Sequence, residues 1–176
     1  ATRASKGLQC DFFRYNFGHH FFDTELVSTN VHNAELRVWE YPDPEGVYVI
    51  GGDPAYGSSA KADAFCVQVC RCYADKLEQV AEFRCVQMNT DQFAWVICHL
   101  AGSYKGKYGQ CYVNIEIDGP GHAVQTEMDS LRRSTNAVPG QFLSKEPKFR
   151  NVVPSMVYYL FHRPDSLKGS YNLQWS

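Results

Sequence analysis

The chain has 176 residues, 44% of them hydrophobic and 20% charged, with 17 Lys and Arg against 19 Asp and Glu for a formal net charge of -2. That length suits one domain that buries a core without help from disulfides. No apolar stretch approaches the roughly 20 residues of a membrane-spanning helix, and the charge excludes nucleic-acid binding by bulk basicity alone.

A local basic groove is compatible with these numbers, because Arg132, Arg133, Lys145, Lys148 and Arg150 all fall in the second half. Each taken singly also reads as ordinary solvated charge. The opening ATRASKGLQC has neither Met nor a charged-then-apolar leader, which reads as an excised piece of something longer and gives secretion no support. Seven cysteines, mostly within apolar runs, read as free thiols in a reducing cytoplasm.

Residues 1–34 are aromatic-rich without clean periodicity, so they are expected to wrap another surface. ELRVWEY reads as a lead-in strand, PDPEG as a turn and VYVIGG as the next strand, since Pro and Gly bound both runs. The domain division expected is therefore 1–46 for the wrapping segment and lead-in strand and 47–176 for the main domain. DAFCVQVCRCYAD and LEQVAEFRCVQ follow as an antiparallel hairpin around Asp75 and Lys76.

NTDQFAWVICHLAGSY carries Phe93, Ile97, Leu100 and Ala101 at helical spacing, with Thr90 as the expected cap and Gly102 as the expected stop. In QCYVNIEID, Cys111, Val113, Ile115 and Ile117 alternate with Asn114, Glu116 and Asp118, so this strand has acids on one face and ends at GPG. HAVQTEMDSLRR reads as a helix with Val124, Met128 and Leu131 on one stripe. Residues 134–155 read as a loop and MVYYLFHR as a last strand. Consecutive strands followed by helix-crossover strands imply an α/β fold: a mixed sheet with helices on its faces.

In such a sheet the VYVIGG strand and the strand after the first helix lie side by side and parallel, which would bring Asp53 and Glu116 together at their C-terminal ends, the edge where open α/β sheets bind ligands. Two converging carboxylates repel unless protonated or bridged by a hard cation such as Mg²⁺ or Mn²⁺. Two such ions activate water and stabilise the leaving oxygen in phosphodiester hydrolysis.

YVIGGDPAYG, QVAEFR, DQFAWVICHLAGSY and NIEIDGPGHAV resemble the nuclease domain of the large terminase subunits of tailed bacteriophages, over about Val47 to Arg133. The resemblance implies a ribonuclease H-like fold and a two-metal endonuclease that cuts concatemeric viral double-stranded DNA in the host cytoplasm. It implies Asp53 and Glu116 as catalytic metal ligands, with Asp118 placed to assist, where the family more often has Asn, and Asp63 as a further acid near the metals. It also implies an ATPase domain on the same full-length chain, and the portal and small terminase subunit as partners.

The chain departs from the family in one respect: the third acid comes from a helix after the last strand, and the sequence reaches Ser176 without one. Asp165 in RPDS does not match its context. No G-x-x-x-x-G-K-[ST] is present, so ATP hydrolysis is not expected of this chain. Two other readings stand beside the terminase nuclease: a non-catalytic ribonuclease H-like docking module of a packaging motor, and another ribonuclease H-like nuclease such as a junction resolvase.

Cys66, Cys70 and Cys72 share one side of a strand and are expected in the core rather than on zinc. His19 and His20 beside Asp23 read as surface or packing residues, and His122 as either a helix-start residue or one that approaches a phosphate.

Overall fold

The computed structural model describes residues 9–55, 63–109, 111–116, 119–134 and 158–161. Its frame is one eight-stranded mixed sheet. The strands are β1 (Asp11–Asn16), β2 (Glu25–Ser28), β3 (Leu36–Val38), β4 (Tyr48–Asp53), β5 (Phe65–Cys72), β6 (Leu77–Cys85), β7 (Cys111–Ile115) and β8 (Tyr158–Phe161). Two helices, α1 (Thr90–Ser103) and α2 (Gly121–Ser134), flank β7 in sequence. Across the sheet the order is β2-β1-β3-β6-β5-β4-β7-β8.

The centre follows from the sequence pattern. β5 and β6 alternate apolar and polar side chains and pair antiparallel beside β4. β7 and β8 each follow a helix, and each joins its neighbour in parallel on the other side of β4. One face of this centre is the core: Tyr48, Ile50, Val67, Val69, Phe83 and Val113 are buried. α1 lies over it with Phe93, Ile97 and Leu100 fully buried, and Val124 and Met128 of α2 complete the apolar cluster.

α1 is enclosed on every side from Phe93 to Ser103, so its polar groups need partners. The Trp95 indole Nε1 donates to Glu127 of α2 at 3.0 Å, and the Ser103 hydroxyl donates to the carbonyl of His99 at 2.8 Å. The helix is capped one residue before the expected cap, so Thr90 is its first residue. Asn89 accepts from the amide of Gln92 at 2.8 Å, while the Gln92 side chain accepts from the amide of Asn89 at 3.0 Å, a capping box that Thr90 has no equivalent for. It also runs past Gly102, and the amide of Tyr104 donates to Leu100.

The N-terminal region differs most from expectation. Instead of an irregular wrap, residues 11–16 and 25–28 are strands that extend the sheet through β3, which pairs with β6. Tyr15 is the anchor: its ring meets Phe83 of β6 edge-on, and its hydroxyl lies 2.9 Å from Nδ1 of buried His99 on α1. PDPEG makes the expected turn, with the amide of Gly46 donating to Asp43 at 2.9 Å, but the strands it joins are not neighbours, because β6 and β5 separate β3 from β4. Arg71 of β5 holds this connection instead, reaching Glu40 at 2.8 Å and Asp43 at 3.1 Å.

The expected loop over 134–155 lies almost wholly outside the described residues. No helix among the described residues is long and apolar enough to cross a membrane.

Candidate metal centre

β4 and β7 run parallel with Gly52 opposite Ile115, so Asp53 and Glu116, each one residue further on, end adjacent strands at the same rim. The ladder reaches Glu116 itself, whose amide donates to the carbonyl of Gly52 at 3.3 Å. Neighbouring strands stand about 4.8 Å apart, so the two backbones are about that close.

Direction is fixed by alternation. A Cβ on Gly52 would lie 3.2 Å from Ile97 and 3.7 Å from Phe93, so Gly52 faces α1 and Asp53 faces away from it. Both Asp53 and Glu116 are exposed. The neighbours of Asp53 are Pro54, which starts the next connection, and Cys66, its partner on β5.

The start of α2 presses on the same rim. A Cβ on Gly121 would collide with the main-chain oxygen of Glu116 and would lie 3.8 Å from Pro54. Only a glycine lets the helix begin against that carbonyl. This contact was not legible in the sequence, where GPG signals only a break; the signal that points to it is a glycine set just inside a helix start. His122 follows it, exposed.

The remaining acids and bases expected at the site divide as follows. Asp63 is exposed and lies just before β5, whose first turn of pairing faces the Asp53 end of β4. Among the described residues no group of three or more His, Cys, Asp or Glu side chains is arranged to hold a metal ion, so Asp63 does not complete such a group with Asp53 and Glu116. Asp118 lies outside the described residues, as do Lys145, Lys148 and Arg150. Arg132 and Arg133 are exposed in the last turn of α2, and Arg132 pairs with Asp129 at 3.8 Å. At 1.5 Å per residue, Arg132 is about 17 Å along the helix from Gly121, well removed from the carboxylates.

All seven cysteines are free thiols. Cys66, Cys70 and Cys72 are half-buried rather than core residues, because Phe65, Val67 and Val69 of the same strand take the face under α1. Burial pushes the Cys66 thiol up, the Arg84 guanidinium opposes that, and the Asp53 and Glu82 carboxylates add to it.

A central parallel strand pair meeting at a carboxylate rim, with an antiparallel hairpin on one side and a crossover strand on the other, is an α/β arrangement, a mixed sheet with helices packed against it. No protein-family model matches the chain, and no curated protein does. Among solved structures it is similar to the large terminase nuclease from thermophilic phage G20c. The form with bound magnesium aligns at 18% identity and a TM-score of 0.48, over 81% of this chain and 60% of that one. The form with bound zinc aligns at 20% identity and a TM-score of 0.44, over 66% and 61%. The form without a named metal aligns at 19% and 0.44, over 56% and 47%, so this chain spans about half to three fifths of the length of the structures it matches.

Proposed function

We propose that the chain is a divalent-metal-dependent nuclease domain and, within that class, the endonuclease of a viral DNA-packaging terminase acting on concatemeric double-stranded DNA. The observation that carries this reading is the parallel register of β4 on β7, with Asp53 and Glu116 as the next residue on each strand. Two exposed carboxylates on adjacent strand ends supply oxygen-only donors, open to a substrate as large as a duplex.

Magnesium is commonly held by one or two carboxylates together with substrate phosphate oxygens, and Asp53 with Glu116 fits that donor set. When bound there, such ions supply an activated water and stabilise the 3′ oxygen as it leaves. The contribution of the chain is placement. The β4–β7 ladder sets the spacing of the two acids, and Gly121 fixes the carbonyl of Glu116 against α2. A second ion asks for more oxygen donors; we propose Asp118 for that role. Arg132, Arg133, Lys145, Lys148 and Arg150 are proposed to track the DNA backbone, and an ATPase domain, portal and small subunit to be the partners.

One observation favours the alternative of a non-catalytic docking module: no three-acid group is assembled among the described residues. Incubating supercoiled plasmid with the protein in Mn²⁺ and in EDTA separates the two. Nicking that requires Mn²⁺ supports the nuclease; intact plasmid with both this chain and one extended at its C-terminus supports the docking module.

A further inference from the structure

We infer that Arg84 is a phosphate-binding residue of the same rim, gripping the DNA backbone beside the bond cut at Asp53; the inference rests on the nuclease reading. The registers of β4, β5 and β6 set Asp53 opposite Cys66 and Cys66 opposite Arg84. Residues directly opposite in an antiparallel ladder share a face, so the three form one row across the strand ends, on the side turned away from α1. Two interstrand steps put the Arg84 backbone about 10 Å from that of Asp53, within reach of a neighbouring phosphate for a long side chain.

The charges around Arg84 leave it available. Glu82, on the same face of β6, lies opposite Arg37 of β3. Glu35 borders Arg84 through a main-chain bond, but its carboxylate accepts from the amide of Tyr15 at 3.0 Å. Arg37 itself lies over the Phe12 ring at 6.0 Å. Arg84 is exposed and forms no ion pair with another described residue. A rim of two carboxylates repels a polyanion, and a guanidinium on the same row offsets that repulsion where the backbone must dock. The sequence pointed instead to the second half of the chain, since Arg84 is a lone cation there and only the strand register sets it beside Asp53.

The test is binding of the full chain to a fluorescein-labelled random-sequence duplex in Ca²⁺ across a KCl series, followed by anisotropy. Arg84→Ala is expected to weaken binding about tenfold and to reduce the slope of log affinity against log salt by about one. Arg84→Lys should keep the slope and recover most of the affinity. Lys76→Ala removes the same charge at the β5–β6 turn, on the opposite rim, and should change neither. An Arg84→Ala isotherm and slope that superimpose on wild type overturn the inference, and if wild type still nicks plasmid with Mn²⁺ the nuclease reading survives that loss. A wild-type protein that neither binds duplex nor nicks plasmid overturns both.

Discussion

Gly121, the first residue of α2, packs its Cα directly on the main-chain oxygen of Glu116. The helix start therefore acts as a stop for the end of β7. Gly121→Ala would force a methyl group into that oxygen, and over-packing of this kind costs about 1–3 kcal/mol. The expected outcome is a protein that folds with a lowered denaturant midpoint, shows faster amide exchange at Glu116, and has lost most metal-dependent nicking. Unchanged exchange at Glu116 in the variant would remove the positioning role.

Asp53→Asn and Glu116→Gln preserve shape while removing the charge proposed to hold a cation. Both side chains are exposed, so stability should change by less than about 0.5 kcal/mol. Mn²⁺-dependent nicking should fall at least about a hundredfold in each. Metal-dependent nicking retained by Asp53→Asn refutes the assignment of that residue.

Metal should also be visible without any substrate. A ligand that binds only the native state stabilises it by RT ln(1 + [L]/Kd), about 2.7 kcal/mol at a hundredfold excess over Kd. Melting followed by circular dichroism should therefore rise in temperature with added Mn²⁺, and the rise should vanish in an Asp53→Asn, Glu116→Gln double variant. An equal rise in both proteins would locate the ion elsewhere.

The parts of this arrangement that could be read from sequence are those in which one periodicity dominates. β4 ends in Gly-Gly-Asp after an apolar run, and β7 alternates cleanly, so the acids, their strands and the crossover between them follow from local rules. β1 defeats the same reading because DFFRYN puts aromatics on both of its faces: Phe12 and Phe13 are both half-buried. Its strand character comes from partners far away in sequence, Leu26 and Val38 among them. The cap of α1 failed for a narrower reason, two adjacent residues that can both cap, with Gln92 deciding for Asn89. Cross-strand neighbours such as Asp53, Cys66 and Arg84 depend on register, which neither composition nor spacing contains.

The contact between Tyr15 and His99 should be measurable as stability. The two groups are buried and come from elements 84 residues apart, so they tie the N-terminal strands to α1. Tyr15→Phe keeps the ring against Phe83 and removes only the hydroxyl, for an expected loss of about 1–2 kcal/mol in urea unfolding with nicking unaffected. A midpoint identical to wild type would mean that the bond adds nothing net.

Alkaline pH should unfold this protein through its buried thiols and phenols. Burial pushes Cys98 and Cys111 well up, and with help from the Glu35 carboxylate it pushes Cys85 up to about 12. Tyr15 and Tyr104 are raised well above their ordinary value for the same reason. In each case the native state keeps a proton that the unfolded chain, with thiols near 8.5 and phenols near 10, gives up. Stability from these groups is therefore complete below about pH 8.5 and declines as the pH climbs past the thiol and then the phenol values toward the raised native ones. With Cys98 and Cys111 fully ionised in the unfolded chain alone, the loss approaches about 2.7 kcal/mol per pH unit. Urea midpoints taken at rising pH should trace that decline, and Cys98→Ala with Cys111→Ala should flatten its first part. Thiolate absorbance from Cys98 and Cys111 appearing in the still-folded protein near pH 9 would contradict it.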